Sequence, residues 1–347
     1  MRFYTKQHKH YCGIDLHTDK MYVCILNKDG EIVLHRNMRT EPGLFLRTIK
    51  PFREDLVVAA ECMFAWYWLA DLCEDENIAF ILGHALYMRA IHGGKSKNDK
   101  IDSHKIAALL KGGLIPMAYV YPRKMRATRD LMRRRNHLMR KRAELFSHIQ
   151  NTASQYNHQE PLGRIAKPQN REGLIERFEL PSVQMSIAAN LDMIETYDKV
   201  LAVLEQDIIE NAQIHDSGSY ALLKTIPGVG RIIALNLLYE IENIDRFPSV
   251  QDFASYSRLV KCAKESNGKK YGTAGKKIGN AHLRWAFSEA ATLFLKGNEP
   301  ARRYLQKIAK KHGKGKALSI LAHKLGRAVY YMLKNKEGFN LNRFLAT

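Results

Sequence analysis

Period-two alternation of apolar and polar residues opens the chain. Tyr11-Cys12-Gly13-Ile14-Asp15 reads as a short strand ending in a carboxylate, Met21 to Leu26 as a second, and Glu31 to His35 as a third after the Lys28-Asp29-Gly30 turn. Together they predict an antiparallel meander. The period then changes: a helix is expected over Pro42 to Lys50, a buried strand over Leu56-Val57-Val58-Ala59-Ala60 closed by Glu61, an aromatic-rich helix from Ala65 to Glu76, and a strand from Ile78 to Leu82. Asn98 then caps a helix that runs through Ile106-Ala107-Ala108-Leu109-Leu110, which puts Asp99 and Asp102 on one face of its first turn.

From Arg123 the chain carries neither Gly nor Pro until Pro161, which predicts one long helix. Leu131, Leu138 and Leu145 recur every seven residues and make an apolar seam. A looser segment from Pro161 to Pro181 precedes a second long helix in which Ile187, Ile194, Leu201 and Ile208 repeat by sevens, with Tyr197 and Leu204 between them. The two helices suit an antiparallel coiled coil, within one chain or between two, and an arm of that kind makes a dimer natural. Thr225-Ile226-Pro227-Gly228-Val229-Gly230 leads into an apolar helix from Ile232 to Ile241. The run from Lys264 to Asn280 is expected to be a flexible basic loop ahead of a helix from His282 to Leu295, and a closing helix covers Ala317 to Leu333. These shifts divide the chain into 1–122 (mixed α/β), 123–215 (basic, helical) and 216–347 (mostly α-helical).

Charge changes the picture more than composition does. The 347 residues are 46% hydrophobic, enough for domains with real cores, but Lys+Arg 55 against Asp+Glu 35 leaves a formal charge of +20. Such an excess points to nucleic acid or to an anionic membrane surface. No run of about 18 apolar residues supports a membrane span, and Met1-Arg2-Phe3-Tyr4-Thr5-Lys6 lacks a signal-peptide core, so a cytoplasmic protein without membrane association is expected. The five cysteines are odd in number and lack Cys-x-x-Cys spacing, which reads as buried thiols.

Three antiparallel strands followed by strands alternating with helices is the element order of the ribonuclease H-like fold. In that order Asp15, Glu61, Asp99 and Asp102 fall at strand ends and on a late helix. Singly, each has an ordinary reading as a turn residue, a strand end or a helix-terminal acid. Jointly, four oxygen donors converging on one sheet edge suit two Mg²⁺ ions about 4 Å apart, which activate a nucleophile and stabilise a leaving oxygen on phosphorus. His17, His84, His92 and His104 show no metal-type spacing and are read as surface or polar-network residues. Lys95 and Lys97 beside the acidic pair, and Arg123, Arg126, Arg133, Arg134 and Arg135 on the long helix, are placed to contact phosphate. Gly228 and Gly230 resemble a helix-hairpin-helix turn, whose glycines let backbone N–H groups approach a phosphate. Lys269, Lys270, Lys276 and Lys277 bring charge to the Gly-rich loop. There is no Walker-type phosphate loop.

Gly13-Ile14-Asp15, Glu61, Asn98-Asp99-Lys100-Ile101-Asp102, Ile226-Pro227-Gly228-Val229-Gly230, Ser266-Asn267-Gly268-Lys269, Gly279-Asn280 and Pro300-Ala301-Arg302-Arg303-Tyr304, in that order, resemble the DEDD transposases of bacterial insertion sequences, of the insertion-sequence-one-ten, Piv-like type. The resemblance implies an N-terminal RuvC-like domain joined by a coiled coil to a C-terminal transposase domain. It further implies a recombinase that is guided by a noncoding bridge-type RNA pairing with donor and target double-stranded DNA. Carried over by motif, Asp15, Glu61, Asp99 and Asp102 would bind Mg²⁺, and Ser266 would be the nucleophile of a transient phosphoserine link. The family shows Ser-Gly-Gly where this chain has Ser266-Asn267-Gly268, and Asn also tolerates positive φ.

A serine hydroxyl needs a base or a metal to activate it, and no triad-like His or Asp accompanies Ser266. A composite site closed on nucleic acid, in a dimer or tetramer, is therefore expected. Two other readings stand beside this one. The first is a metal-dependent RuvC-like nuclease or Holliday-junction resolvase in which Ser266 fills a turn; the second is a non-catalytic nucleic-acid-binding protein.

Overall fold

Strands β1 (His10–Leu16), β2 (Lys20–Asn27), β3 (Ile32–Arg39), β4 (Leu56–Glu61) and β5 (Ala79–Gly83) form one sheet in the order β3-β2-β1-β4-β5. The first three pair antiparallel as the alternation predicts, whereas β4 and β5 run parallel to β1 and to each other. Parallel strands need crossovers. Helices α1 (Pro42–Ile49), α2 (Tyr67–Asp75), α3 (Ala85–Ile91) and α4 (Asp99–Lys111) occur between and after the later strands. The computed structural model describes residues 2–91, 98–158, 163–274 and 278–346. These divide into two compact units, Met1–Arg123 and Lys124–Thr347.

Alternation along β1 sorts the first unit's core into two layers. Cys12, Ile14 and Leu16 join Val58, Ala60, Phe45 and Leu69 on one face, while Tyr11 joins Val57, Ala59, Ile106 and Leu109 on the other. Among the described cysteines, Cys12, Cys24 and Cys73 are buried as expected, and Cys62 is exposed.

In the second unit α5 (Arg123–Gln155) and α6 (Pro181–Lys224) lie antiparallel. Arg135 meets Glu205, Arg142 meets Asp198 and His148 meets Asn190, so numbers climb on one helix as they fall on the other. On α6 the heptad residues Ile187, Ile194, Leu201 and Ile208 are all buried. On α5 Leu131, Leu138 and Leu145 are half-buried, Leu131 and Leu145 packed against the core, and Met132, Arg135, Asn136 and Ile149 lie deeper. The reason is that the partner acids Glu205 and Asp198 draw arginine stems inward, and a long aliphatic stem covers apolar surface as leucine does.

Helix α6 breaks at Asp216, where φ is −163° and ψ 80°. Asp216 Oδ1 accepts the Ser219 N–H at 2.9 Å, so this residue caps the restarted helix. The core runs on across the break, through Ile208 and Ala212 to Tyr220 and Leu223, and meets the largely apolar α7 (Arg231–Ile241). Against α7 packs α9 (Ala281–Leu293); α11 (Lys314–Asn335) packs on α9, α8 (Val250–Tyr256) and α10 (Glu299–His312), and the short α12 (Leu341–Leu345) closes the same core.

One element differs from the expected flexible loop. Residues Cys262–Ser266 (β6) and Lys269–Ala274 (β7) form a two-stranded hairpin. Asn267 at φ 48° and Gly268 at φ 72° make the turn, and two successive positive φ values give the twist that joins antiparallel strands. The Lys-rich composition hid strands that their pairing defines.

Candidate functional site

The carboxylates are positioned by strand register and by one glycine. Ile14 on β1 stands opposite Ala60 on β4 as the last pair of their ladder, so Asp15, next to last in β1, and Glu61, last in β4, follow that pair on neighbouring parallel strands. Alternation carries both onto the face where Tyr11, Val57 and Ala59 pack against α4. Helix α4 lies directly on that face at Gly13. A Cβ there would sit 2.3 Å from Ala107 N and 2.4 Å from Ser103 O. Any side chain at position 13 would push α4 off the sheet, and Asp99 and Asp102 with it.

The start of α4 is fixed as the sequence predicts: Asn98 Oδ1 accepts the Ile101 N–H at 2.8 Å, with Asp99 and Asp102 in the first turn. From β3, His35 Nε2 lies 3.0 Å from Lys100 O and 3.3 Å from the buried Ser103 Oγ, which itself donates to Lys100 O at 2.9 Å. Burial lowers the His35 pKa, which favours the neutral ring that can bond there.

Asp15 is the deepest of the acids around this turn, with its side chain 17% exposed. Burial pushes its carboxyl above the usual range; His17 opposes that shift, while the charges of Asp99 and Asp102 add to it. Three of the four predicted acids are therefore close enough to feel one another, and register brings the fourth, half-buried Glu61, beside Asp15. Asp102 Oδ1 lies 3.4 Å from Lys105 Nζ.

Sequence spacing gave no reason to include His17, yet the β1–β2 turn brings its Nε2 3.5 Å from Asp15 Oδ2 and 3.7 Å from Asp99 Oδ1. One donor atom from each of the three residues lies within 4.8 Å of the others. Hard oxygen donors with clustered negative charge fit Mg²⁺, and an imidazole nitrogen at the edge extends the fit toward Mn²⁺.

The residues expected to meet nucleic acid separate into engaged and open ones. Glu240 on α7 is 2% exposed and takes Arg133 Nε at 2.6 Å, Arg129 Nη2 at 3.2 Å and Asn280 Nδ2 at 2.7 Å. Burial works against its charge, but the bond from Arg133 and the charges of Arg129 and Arg133, with Asn280, hold its carboxyl down to about 2. Arg135 Nε donates to Glu205 at 2.7 Å, Arg126 is buried, and Arg123 lies 3.2 Å from Asp75. Arg134 is exposed. Sequence reasoning missed this buried network, because which acid answers which arginine is a matter of packing.

Gly228 has φ +81°, and a Cβ there would lie 2.5 Å from the Leu293 carbonyl carbon, so helix packing requires a glycine. Gly230 is different: it opens α7 as its N-cap, and a Cβ at that position would meet nothing within 4 Å. Ser266 is exposed at the end of β6, one residue before the Asn267-Gly268 turn, and Lys269 and Lys270 follow on β7. Lys95, Lys97, His92, Lys276 and Lys277 lie outside the described residues.

Comparison with known proteins covers both units. A transposase family of the DEDD, IS110 type matches residues 12–158, the span holding Asp15, Glu61, Asp99 and Asp102. A second, described as "Transposase IS116/IS110/IS902 family", matches residues 220–306, the span holding Gly228, Glu240, Ser266 and Asn280. The chain is also similar to the transposase for insertion sequence element IS1111A of Coxiella burnetii (strain RSA 493 / Nine Mile phase I), at 20% identity over 94% of this chain and 90% of that protein.

Proposed function

This chain belongs to the DEDD transposases of insertion sequences of the IS110 type, and from that premise we propose that it cuts and rejoins DNA using a carboxylate-held divalent metal and a serine nucleophile. The observation that carries the proposal is the neighbouring register of Asp15 and Glu61 on the sheet face that also receives Asp99 and Asp102. The strand order β3-β2-β1-β4-β5 supports a ribonuclease H-like, RuvC-like N-terminal unit. The paired helices α5 and α6 support a coiled-coil segment ahead of a serine-bearing C-terminal region.

Asp15, Glu61, Asp99 and Asp102 would hold the metal, with Mg²⁺ the expected ion. When bound, it supplies Lewis-acid stabilisation of charge on phosphorus and lowers the pKa of an attacking hydroxyl. Ser266 Oγ attacks a backbone phosphorus, one P–O bond to deoxyribose breaks, and the released hydroxyl takes up the proton. The reverse attack, by a hydroxyl of another strand, frees the serine and reseals the backbone. One phosphodiester is exchanged for another, so no nucleotide triphosphate is required. Exposure of Ser266 supports access by a strand, and Asn267, standing where the family has its first glycine, takes the positive φ that the turn needs.

Guidance by a noncoding bridge-type RNA, which pairs with donor and target DNA, and assembly as a dimer or tetramer belong to the same proposal. They are supported by the family and by the +20 charge. Purifying the protein and sequencing any co-purifying RNA tests guidance: a structured transcript whose loops match element ends and insertion site is expected. Trapping on labelled DNA tests the nucleophile. A covalent adduct in the parent that is absent in Ser266→Ala supports it, whereas cleavage without an adduct in both favours the plain nuclease, a reading in which Ser266 is an ordinary residue before a hairpin turn.

A further inference from the structure

Near the C-terminus, α11, α12 and the turn between them line a half-open cavity of about 300 Å³. Its wall includes Lys324, Arg327, Tyr331, Asn335, Glu337 and Arg343. Lys324 is the unusual member. Its Nζ is buried, and among the described residues it has no hydrogen-bond partner. It lies over two ring faces, 4.4 Å from the Tyr304 centroid and 5.0 Å from that of Phe344. Ring faces compensate an ammonium only in part. An ammonium so placed leaves positive potential at this end of the molecule.

Other cations reinforce it. Arg327 follows Lys324 by one turn of α11, and Arg343 comes from α12; the one carboxylate of the wall, Glu337, is 3.8 Å from Arg343 and largely exposed. The wall thus holds three cations and one anion, which suits a phosphate. Tyr331 adds what a phosphate alone does not need: an aromatic side chain left 47% exposed. Asn335 supplies an amide with both donor and acceptor, the equipment for the polar edge of a heterocycle. An anion, a flat ring and a hydrogen-bonding edge within a volume at the small end of ligand pockets describe one nucleotide.

We infer that this cavity is a nucleotide-binding pocket: Tyr331 stacks on a single unstacked base while Lys324, Arg327 and Arg343 neutralise its phosphate. An acidic peptide would satisfy the cations but leave Tyr331 without a ring to stack on. The inference rests on the reading that the chain handles nucleic acid, and it assigns single-strand contact to a part of the fold remote in sequence from the carboxylates and the serine.

Fluorescence anisotropy with a labelled single-stranded oligonucleotide and with a blunt duplex, on the full-length protein, tests it. Tyr331→Ala is expected to weaken single-strand binding about tenfold, the loss of one base–aromatic stack, and to leave duplex binding unchanged. Arg327→Gln should do the same. Lys324→Met keeps the stem beside the rings and removes the unpartnered charge; it is expected to melt at or above the parent temperature and to bind the oligonucleotide more weakly, which separates binding from folding. Free adenosine 5′-monophosphate as competitor identifies the source: competition means a free nucleotide enters, and its failure alongside weakened oligonucleotide binding means a residue of a strand does. Parent-like oligonucleotide affinity in both Tyr331→Ala and Arg327→Gln overturns the pocket. So does an equal loss on duplex, which indicates a general phosphate track. If the parent binds neither nucleic acid, the pocket and the functional reading fall together; if it binds duplex and the variants behave as parent on single strands, only the pocket falls.

Discussion

His17, the first residue of the turn between β1 and β2, carries its Nε2 3.5 Å from Asp15 Oδ2. This contact sets an imidazole beside an acid whose carboxyl is already pushed up by burial. A divalent cation would relieve the crowding of charge among these acids.

The consequence is a trade between fold and site at Asp15. Its folded pKa lies above the unfolded value of about 3.9. Between the two values the folded protein holds the proton that the unfolded chain has released, so stability falls as pH rises through that window. Asp15→Asn has no such loss and is expected to melt above the parent at pH 7 without metal. With Mg²⁺ added the order should reverse, because only the parent gains the stabilisation that binding brings, about 2.7 kcal/mol at a hundredfold excess over Kd. Thermal melts from pH 4 to 7, with and without MgCl₂, read both effects, and equal metal-induced shifts in parent and variant would remove Asp15 from the metal site.

Ser266 and Asn267 separate chemistry from fold within two residues. Ser266 is exposed, so Ser266→Ala is expected to change stability by no more than about 0.5 kcal/mol while abolishing strand exchange. Asn267 sits at φ 48°. Asn267→Val forces a β-branched side chain into the left-handed region, at a cost of about 1–2 kcal/mol, whereas Asn267→Gly is tolerated. Recombination assays beside far-UV melts of the same variants check the pair, and strand exchange at parent rate in Ser266→Ala excludes the hydroxyl.

Glu240 organises the second unit through Arg129, Arg133 and Asn280. Removing the acid takes a carboxylate partner from buried Arg129 and from Arg133, so Glu240→Ala is expected to destabilise by about 3–5 kcal/mol in urea unfolding. Its folded pKa of about 2 lies below the unfolded carboxylate value of about 4.3, so its contribution is complete above that unfolded value and is lost as pH falls toward 2. Urea midpoints measured from pH 6 down to pH 2.5 should show an acid-dependent loss in the parent that Glu240→Gln lacks. Parallel curves would place the acid sensitivity elsewhere.

The consecutive arginines of α5 are not equivalent. Arg134 is exposed, while Arg133 and Arg135 are tied to Glu240 and Glu205. Arg134→Gln is expected to leave the melting temperature alone and to lower the salt slope of DNA binding by about one. Arg135→Gln should lower stability first, because it leaves Glu205 without its partner. DNA affinity measured from 50 to 200 mM salt distinguishes them, and an unchanged slope for Arg134→Gln would put phosphate contact on other cations.

How much of this was legible in the sequence depended on the range of the interaction involved. Asn98 caps α4 through a bond to Ile101, three residues away, and was readable for that reason. The α6 heptad was readable because helical period is a local property, and all four of its residues are buried. The α5 leucines were readable only in part: Leu131 and Leu145 pack against the core, but Arg135 lies deeper because an acid on another helix meets it. The hairpin from Cys262 to Ala274 was invisible because its strands are short and polar, and only their pairing defines them.

By itself the sequence determined the local facts: where helices start, which strands end in acids, that a glycine falls at position 13, and that charge favours polyanions. Tertiary structure decided which of those facts meet. It was β1–β4 register that set Glu61 beside Asp15, the missing Cβ of Gly13 that let α4 bring Asp99 and Asp102 down, and a turn that carried His17 in from outside any motif. Convergence of this kind is a property of distance in space, and side-chain chemistry along a line does not encode it until the sheet has closed.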